Sequence, residues 1–178
     1  FKKEFDIPNV KIHLHKRIPI CSGLGGGSSD ASFTLKMLND LFNLNLTSKQ
    51  LQSYALMIGA DCPFFIENKP MLVEGVGEKL NYIKLNLDSY DIKVYSSDIK
   101  VSTLEAYSLI KSFKNSNLSY NIKKPINTWQ ENISNNFEEP IFQLYPKLRE
   151  KKRKIIEDGA LYCSMTGTGS SIYAILKK

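Results

Sequence analysis

The sequence predicts an α+β protein, and three observations carry that prediction. A glycine-rich stretch, Ile18–Ser32 (IPICSGLGGGSSDAS), sits between a segment of strand-like alternation and two helical patterns. The middle of the chain reads as short antiparallel strands joined by turns. The last third carries a long helical pattern followed by two strands around a second small-residue loop, TGTGS.

Each element has its own signal. Val10, Ile12 and Leu14 alternate with Lys11, His13 and His15, the period of a half-buried strand. From Ser28 to Phe42, Ala31, Leu35, Leu38 and Phe42 recur at helical spacing. Thr47 and Gln50 form a capping-box pattern, after which Leu51, Tyr54, Ala55 and Ile58 make an apolar helix face that stops at Gly59. Because Pro63 cannot continue a helix, Gly59 to Pro63 reads as a tight loop with Asp61 at its centre, followed by a short strand at Phe64 to Ile66. Strands are then expected at Met71–Glu74, Leu80–Leu85 and Asp91–Tyr95, and a helix from Ser102 to Phe113. The Asn-, Ser- and Lys-rich stretch Lys114–Pro125 reads as a linker or disordered loop. A single long helix is expected from about Pro140 to Asp158, with the run KLREKKRK on its solvated side and Gly159 as its stop. Strands at Leu161–Met165 and Ile172–Leu176 close the chain.

Composition narrows the function classes. The 178 residues are 42% hydrophobic and 24% charged, ordinary for a globular protein. No apolar run approaches the length of a bilayer span and FKKEFDIPNV lacks the apolar core of a signal peptide, so a cytoplasmic protein without a membrane partner is expected. Cys21, Cys62 and Cys163 are odd in number and widely spaced, which supports neither a disulfide framework nor a zinc site. His13 and His15 share a strand face but no carboxylate or thiol cluster joins them, so no metal ligands are assigned. The formal charge of +6 suits a ligand rich in phosphate.

The chemistry is carried by the glycines. Gly23, Gly25, Gly26 and Gly27, followed by Ser28 and Ser29, place backbone N–H groups and a helix N-terminus at one spot, the ingredients of a phosphate cradle. It is not a Walker A loop, since no Lys precedes the serines, and Ser28 stands where a dinucleotide fingerprint needs Gly.

PxxxGLGSS-type wording at Pro19 to Ser29, with GADCPFF, GVGEKL and SMTGTGSS in order behind it, resembles the superfamily of galactokinase, homoserine kinase, mevalonate kinase and phosphomevalonate kinase (GHMP). The resemblance covers nearly the whole chain from Val10. It implies the two-lobed GHMP-kinase-like fold, with a ribosomal-protein-type, nucleotide-binding N-terminal lobe over residues 1–89 and a ferredoxin-like, substrate-side C-terminal lobe over residues 90–178. It also implies ATP and Mg²⁺ as cofactors and transfer of a phosphoryl group to a small alcohol. The longer form GLGGGSSDA points to the branch whose alcohol is a cytidine-diphosphate-linked methylerythritol, in the non-mevalonate route to isoprenoid precursors, with no nucleic acid partner and a monomer or homodimer.

By the same resemblance Pro19, Ile20, Cys21, Ser22, Gly23, Leu24, Gly25, Gly26, Gly27, Ser28 and Ser29 would wrap the ATP phosphates. Asp61 would be the catalytic residue that takes or orients the acceptor hydroxyl's proton, although an Asp there also suits capping its own loop. Thr166, Gly167, Thr168 and Gly169 are expected at substrate and phosphate, unless they form a plain hairpin turn. Tyr107 falls where the family stacks a ring on cytosine, or else packs as helix core. Lys16 is a further phosphate contact, ahead of Arg17, or a solvated strand end. The family's first segment, with a lysine paired to the catalytic aspartate, has no counterpart here, so the N-terminal lobe is expected to be incomplete. Two other readings stay open: a non-catalytic nucleotide- or partner-binding protein of this fold, and a kinase of another small alcohol such as homoserine or a mevalonate derivative.

Overall fold

The computed structural model describes residues 1–2, 4–113 and 117–178. The chain forms two compact units, each discontinuous in sequence: residues 1–17 with 25–84, and residues 18–24 with 85–178.

The first unit holds helices α1 (Gly26–Leu41), α2 (Ser48–Ile58) and α3 (Cys62–Glu67) and a hairpin of β1 (Met71–Glu74) and β2 (Lys79–Tyr82). Leu35, Leu51, Ala55, Cys62 and Ile66 make its core, with Phe1, Ala31, Leu46 and Tyr54 packed around them. The capping box at Thr47 is formed as expected, Gln50 N–H donating to Thr47 Oγ1 and Thr47 N–H to Gln50 Oε1. Side chains of α1 tie down α3: Ser32 Oγ donates to Cys62 O at 2.7 Å and Lys36 Nζ to Ile66 O at 3.1 Å.

Two expectations fail in this unit. Phe64–Ile66 is helix, not strand, because Pro63 occupies the first turn of α3, where its missing N–H costs nothing and its fixed φ favours the helix. The proline starts a helix that it was expected to forbid. Val10 to His15 forms no strand: its apolar residues Val10, Ile12 and Leu14 are 38%, 53% and 56% exposed. Alternation creates a face, but a strand also needs a ladder partner, and none pairs with it among the described residues.

The second unit is built on a three-stranded antiparallel sheet ordered β3 (Tyr90–Tyr95), β5 (Ile172–Lys177), β4 (Tyr162–Met165). Period-two alternation sorts its faces. Cys163, Met165, Ile172 and Ala174 point to a core completed by Val101, Ala106, Ile141, Phe142, Leu148 and Ile155. These come from or flank helices α4 (Thr103–Leu109), α7 (Glu138–Leu144) and α8 (Pro146–Glu157). Tyr162 and Ile175 point the other way, onto Ile126 and Trp129, beside the short helices α5 (Leu118–Asn121) and α6 (Trp129–Asn132). Both faces are thus covered, which is why every residue of β4 is buried.

The long helix expected over 140–158 is two helices. Pro146 disfavours a helical conformation at the residue before it, and Tyr145 accordingly sits at φ −126° and ψ 76°, ending α7 and leaving Pro146 to start α8. Of the basic run, Lys152 is not a solvated side chain: it pairs with Glu138 at 2.6 Å, both largely buried. In the expected linker Lys114–Pro125, the first three residues lie outside the described residues, while Leu118–Asn121 is helical. The helix expected over Ser102–Phe113 runs only to Leu109.

Candidate phosphate-binding site

The glycine loop divides between the two units at Leu24–Gly25. On the side of the first unit, Gly25 is the N-cap of α1, in the left-handed region at φ 65°, and provides no side-chain cap. A Cβ there would lie 2.9 Å from the ring of Phe65, so conformation and space both require glycine. The first helical hydrogen bond runs from Ser29 N–H to Gly25 O at 2.9 Å, so the N–H groups of Gly26, Gly27 and Ser28 precede the ladder. No acidic residue lies in the first turn of α1, and a Cβ added at Gly27 would meet nothing within 4 Å. The helix start is therefore uncapped and open, a candidate anion site with the positive end of a 16-residue dipole behind it.

Asp61 stands at the N-cap of α3, exposed, and its side chain makes no capping hydrogen bond. The carboxylate is not spent on its own loop. The GVGEKL motif reaches this place: Gly77, at φ +100°, packs so closely on Ala60 that a Cβ would fall 1.9 Å from Ala60 O. Its turn is held by Glu78, whose carboxylate accepts from Val76 N–H at 2.6 Å; hydrogen bonds from its own N–H and that of Val76 hold its pKa down. Lys16 forms an ion pair with Asp30 of α1 at 2.5 Å, and Arg17 is exposed.

In the second unit, Gly23 and the TGTGS loop close on each other. Thr166 Oγ1 donates to Gly23 O at 2.9 Å, and Ser171 N–H donates to Ser22 O at 3.1 Å. Gly23 lies at φ +73°, and a Cβ there would fall 2.2 Å from Thr166 O and 2.8 Å from Gly169 O. Gly167 and Gly169 are themselves left-handed, at φ 53° and 95°. The loop is a turn, with Gly169 N–H donating to Thr166 O at 3.0 Å, but one shaped to receive another backbone. Pro19, Ile20, Cys21 and Ser22 line a cavity of about 370 Å³ with Ser96 to Lys100 and Ser171. Tyr107 packs against Phe137 with ring centroids 4.9 Å apart, while 56% of the residue stays exposed.

Three contributors escaped sequence reasoning. Phe65 and Ala60 shape the glycine positions, and Asn135 donates to Met165 O at 2.8 Å and Gly167 O at 2.7 Å. The spacing between Asn135 and that loop leaves no local signal. Among the described residues no group of three or more His, Cys, Asp or Glu could hold a metal ion, and no helix is long and apolar enough to cross a membrane.

One unit carries an uncapped helix start after the glycine loop, and the other carries a glycine turn closed on the Gly23 backbone. The model of the GHMP kinases N terminal domain matches residues 1–69, and that of the GHMP kinases C terminal domain matches residues 117–178.

The chain is 45% identical over 99% of its length to the 4-diphosphocytidyl-2-C-methyl-D-erythritol kinase of Azobacteroides pseudotrichonymphae, and 45% identical over 98% to that of Bacteroides thetaiotaomicron. It spans 67% and 64% of the length of those two relatives. A crystal structure of a 4-(cytidine 5'-diphospho)-2C-methyl-D-erythritol kinase superposes with a TM-score of 0.72 at 29% identity, covering 90% of this chain and 59% of that one. A homoserine kinase from Cytophaga hutchinsonii shares the fold, with a TM-score of 0.62 at 19% identity over 92% of this chain and 59% of that one. The chain belongs to the 4-diphosphocytidyl-2-C-methyl-D-erythritol kinase family of the GHMP kinases.

Proposed function

We propose that the protein of which this chain is part transfers the γ-phosphoryl group of ATP to a hydroxyl of 4-diphosphocytidyl-2-C-methyl-D-erythritol. The observation that carries the reading is the sustained identity, 45% over 99% of the chain, to a relative bearing that name. The local geometry supports it from the residues upward. Phosphoryl transfer asks a protein for positioning and for stabilisation of spread negative charge. The N–H groups of Gly26, Gly27 and Ser28, ahead of the α1 ladder, would take the nucleotide phosphates.

Asp61, uncommitted to capping, would accept the proton of the attacking hydroxyl or hold that hydroxyl in line. Thr166 to Gly169 and the exposed face of Tyr107 would meet the acceptor, the latter by stacking on its base. Mg²⁺ would be held mainly by the ATP phosphates and waters, with the Ser28 and Ser29 hydroxyls available to help orient it. When bound, it would neutralise charge on the β- and γ-phosphates. A cytoplasmic location and a monomeric or homodimeric state complete the reading.

The test is ADP formation by the full-length protein. Supplied with MgATP and the cytidine-diphosphate-linked methylerythritol, it should form one ADP per phosphorylated alcohol, and show weaker turnover with homoserine or mevalonate. No ADP above the ATPase background would overturn the reading.

A further inference from the structure

β4 is an edge strand, and its open side is covered by side chains instead of another strand. Cys163 N–H donates to Gln130 Oε1 at 2.8 Å and Met165 N–H to Glu138 Oε1 at 2.7 Å. Beyond Met165 the strand becomes the glycine turn, and there Asn135 takes over. Its two amide hydrogens serve two carbonyls, Met165 O and Gly167 O, at 2.8 and 2.7 Å, while its Oδ1 accepts from Phe137 N–H at 2.9 Å. All three contacts suit one orientation of the amide; the flipped one would set its oxygen against two carbonyls. One side chain therefore holds the base of the turn and its first glycine. The opposite side of the same turn lies on Gly23.

We propose that Asn135 is a positioning residue for phosphoryl transfer: it sets how closely the Thr166–Gly169 turn approaches the Gly23 segment without itself touching the reactants. The proposal rests on the kinase reading above. A small displacement of groups that align donor and acceptor costs far more in turnover than in stability. The charged or titratable groups around Asn135 are the Glu138–Lys152 pair, Glu139 and Lys111, with Tyr162 and Tyr173 on the other side. All are present equally in wild type and variants.

Asn135→Ala and Asn135→Asp in the full-length protein test it. Asn135→Ala should lower kcat at least tenfold with KM for ATP within threefold of wild type and no matching loss of folded protein. Asn135→Asp carries a second signature. At pH 8 its carboxylate faces two carbonyls and donates nothing, so kcat should fall below that of Asn135→Ala. The two facing carbonyls hold that carboxyl above its ordinary pKa of about 3.9, so at pH 5.5 the protonated fraction grows and regains a donor; activity relative to wild type should rise at least fivefold, while the Asn135→Ala ratio stays flat. If Asn135→Asp does not fold at pH 8, the Asn135→Ala kinetics and the pH 5.5 measurement decide.

Amide exchange at Gly167 and Gly169 gives a readout independent of turnover: it should be faster in Asn135→Asp at pH 8 than in Asn135→Ala, after correction for intrinsic rates. A wild type that makes no ADP removes the kinase reading, and with it the catalytic part of the proposal. An active wild type whose variants keep kcat within twofold, or lose activity only in proportion to unfolding, overturns the role of Asn135 alone.

Discussion

Replacing Gly23 by alanine sets the architecture of the glycine turn against a clean control. The new Cβ would sit 2.2 Å from Thr166 O and 2.8 Å from Gly169 O, backbone atoms that cannot swing aside. At φ +73° the alanine also carries a left-handed penalty of about 1–2 kcal/mol. Separating the two backbones to relieve the overlap breaks the 2.9 Å bond from Thr166 Oγ1 to Gly23 O, worth about 1 kcal/mol net. Against this, alanine restricts the unfolded chain and recovers about 0.5–1 kcal/mol. The balance is a loss of about 2 kcal/mol, roughly 10 °C in the melting of the unit that contains it.

Gly27→Ala, four residues on, meets nothing within 4 Å and lies inside α1, so it should be neutral or stabilising by up to about 1 kcal/mol. Without ligand, urea unfolding followed by far-UV circular dichroism should separate the two variants by about 2–3 kcal/mol. With ATP the order should change: Gly27→Ala places a methyl in the open cradle and should bind nucleotide at least tenfold more weakly despite its intact fold. Equal stabilities for the two variants would refute the close approach of the turn to Gly23, and undiminished ATP binding by Gly27→Ala would refute the cradle.

Asp61→Ala in the full-length protein should reduce turnover at least a hundredfold and leave ATP affinity within threefold, since its proposed role is on the acceptor hydroxyl; isothermal titration beside an ADP assay reads both, and a large loss of ATP binding would give Asp61 a different role. Burial raises the Cys163 thiol to about pH 11 from its ordinary value of 9.0, so the folded chain keeps a proton that the unfolded chain releases. The resulting stability is complete below pH 9 and declines towards pH 11, by up to about 2.5 kcal/mol, and the decline should flatten in Cys163→Ala when urea midpoints are compared at pH 8 and 10.5. At pH 8 a chromogenic disulfide should modify Cys21 promptly and reach Cys62 and Cys163 only after denaturant is added; two fast thiols in the native protein would contradict their burial.

What could be read in advance followed the range over which each signal acts. The box at Thr47, the apolar face of α2 and the pair β4 and β5 depend on neighbours in sequence or on simple periodicity, and all were legible. Pro63 was misjudged because a proline marks a helix boundary without saying which side is helical; at Pro146 both sides are helical, and it was the boundary itself that the continuous apolar spacing concealed. Val10 to His15 shows the limit of alternation, which specifies a face and says nothing of a partner. Gly77 and Asn135 were invisible because each answers to a backbone far along the chain, at Ala60 and at Met165 and Gly167. Their requirement exists only once the fold is formed.

The bond between Thr166 and Gly23 joins positions 143 residues apart, and it has a consequence for synthesis on the ribosome. Ile18–Leu24 emerges early, yet its unit is completed by residues 85–178. The segment must wait, unpaired, while α1 to α3 fold around the chain on its far side, and its partners at Thr166 and Ser171 are made last. Long waits of this kind slow folding and expose the waiting segment to wrong partners. A cut at residue 84/85, natural as it looks on a linear map, would leave the Gly23 segment on one piece and its seat on the other.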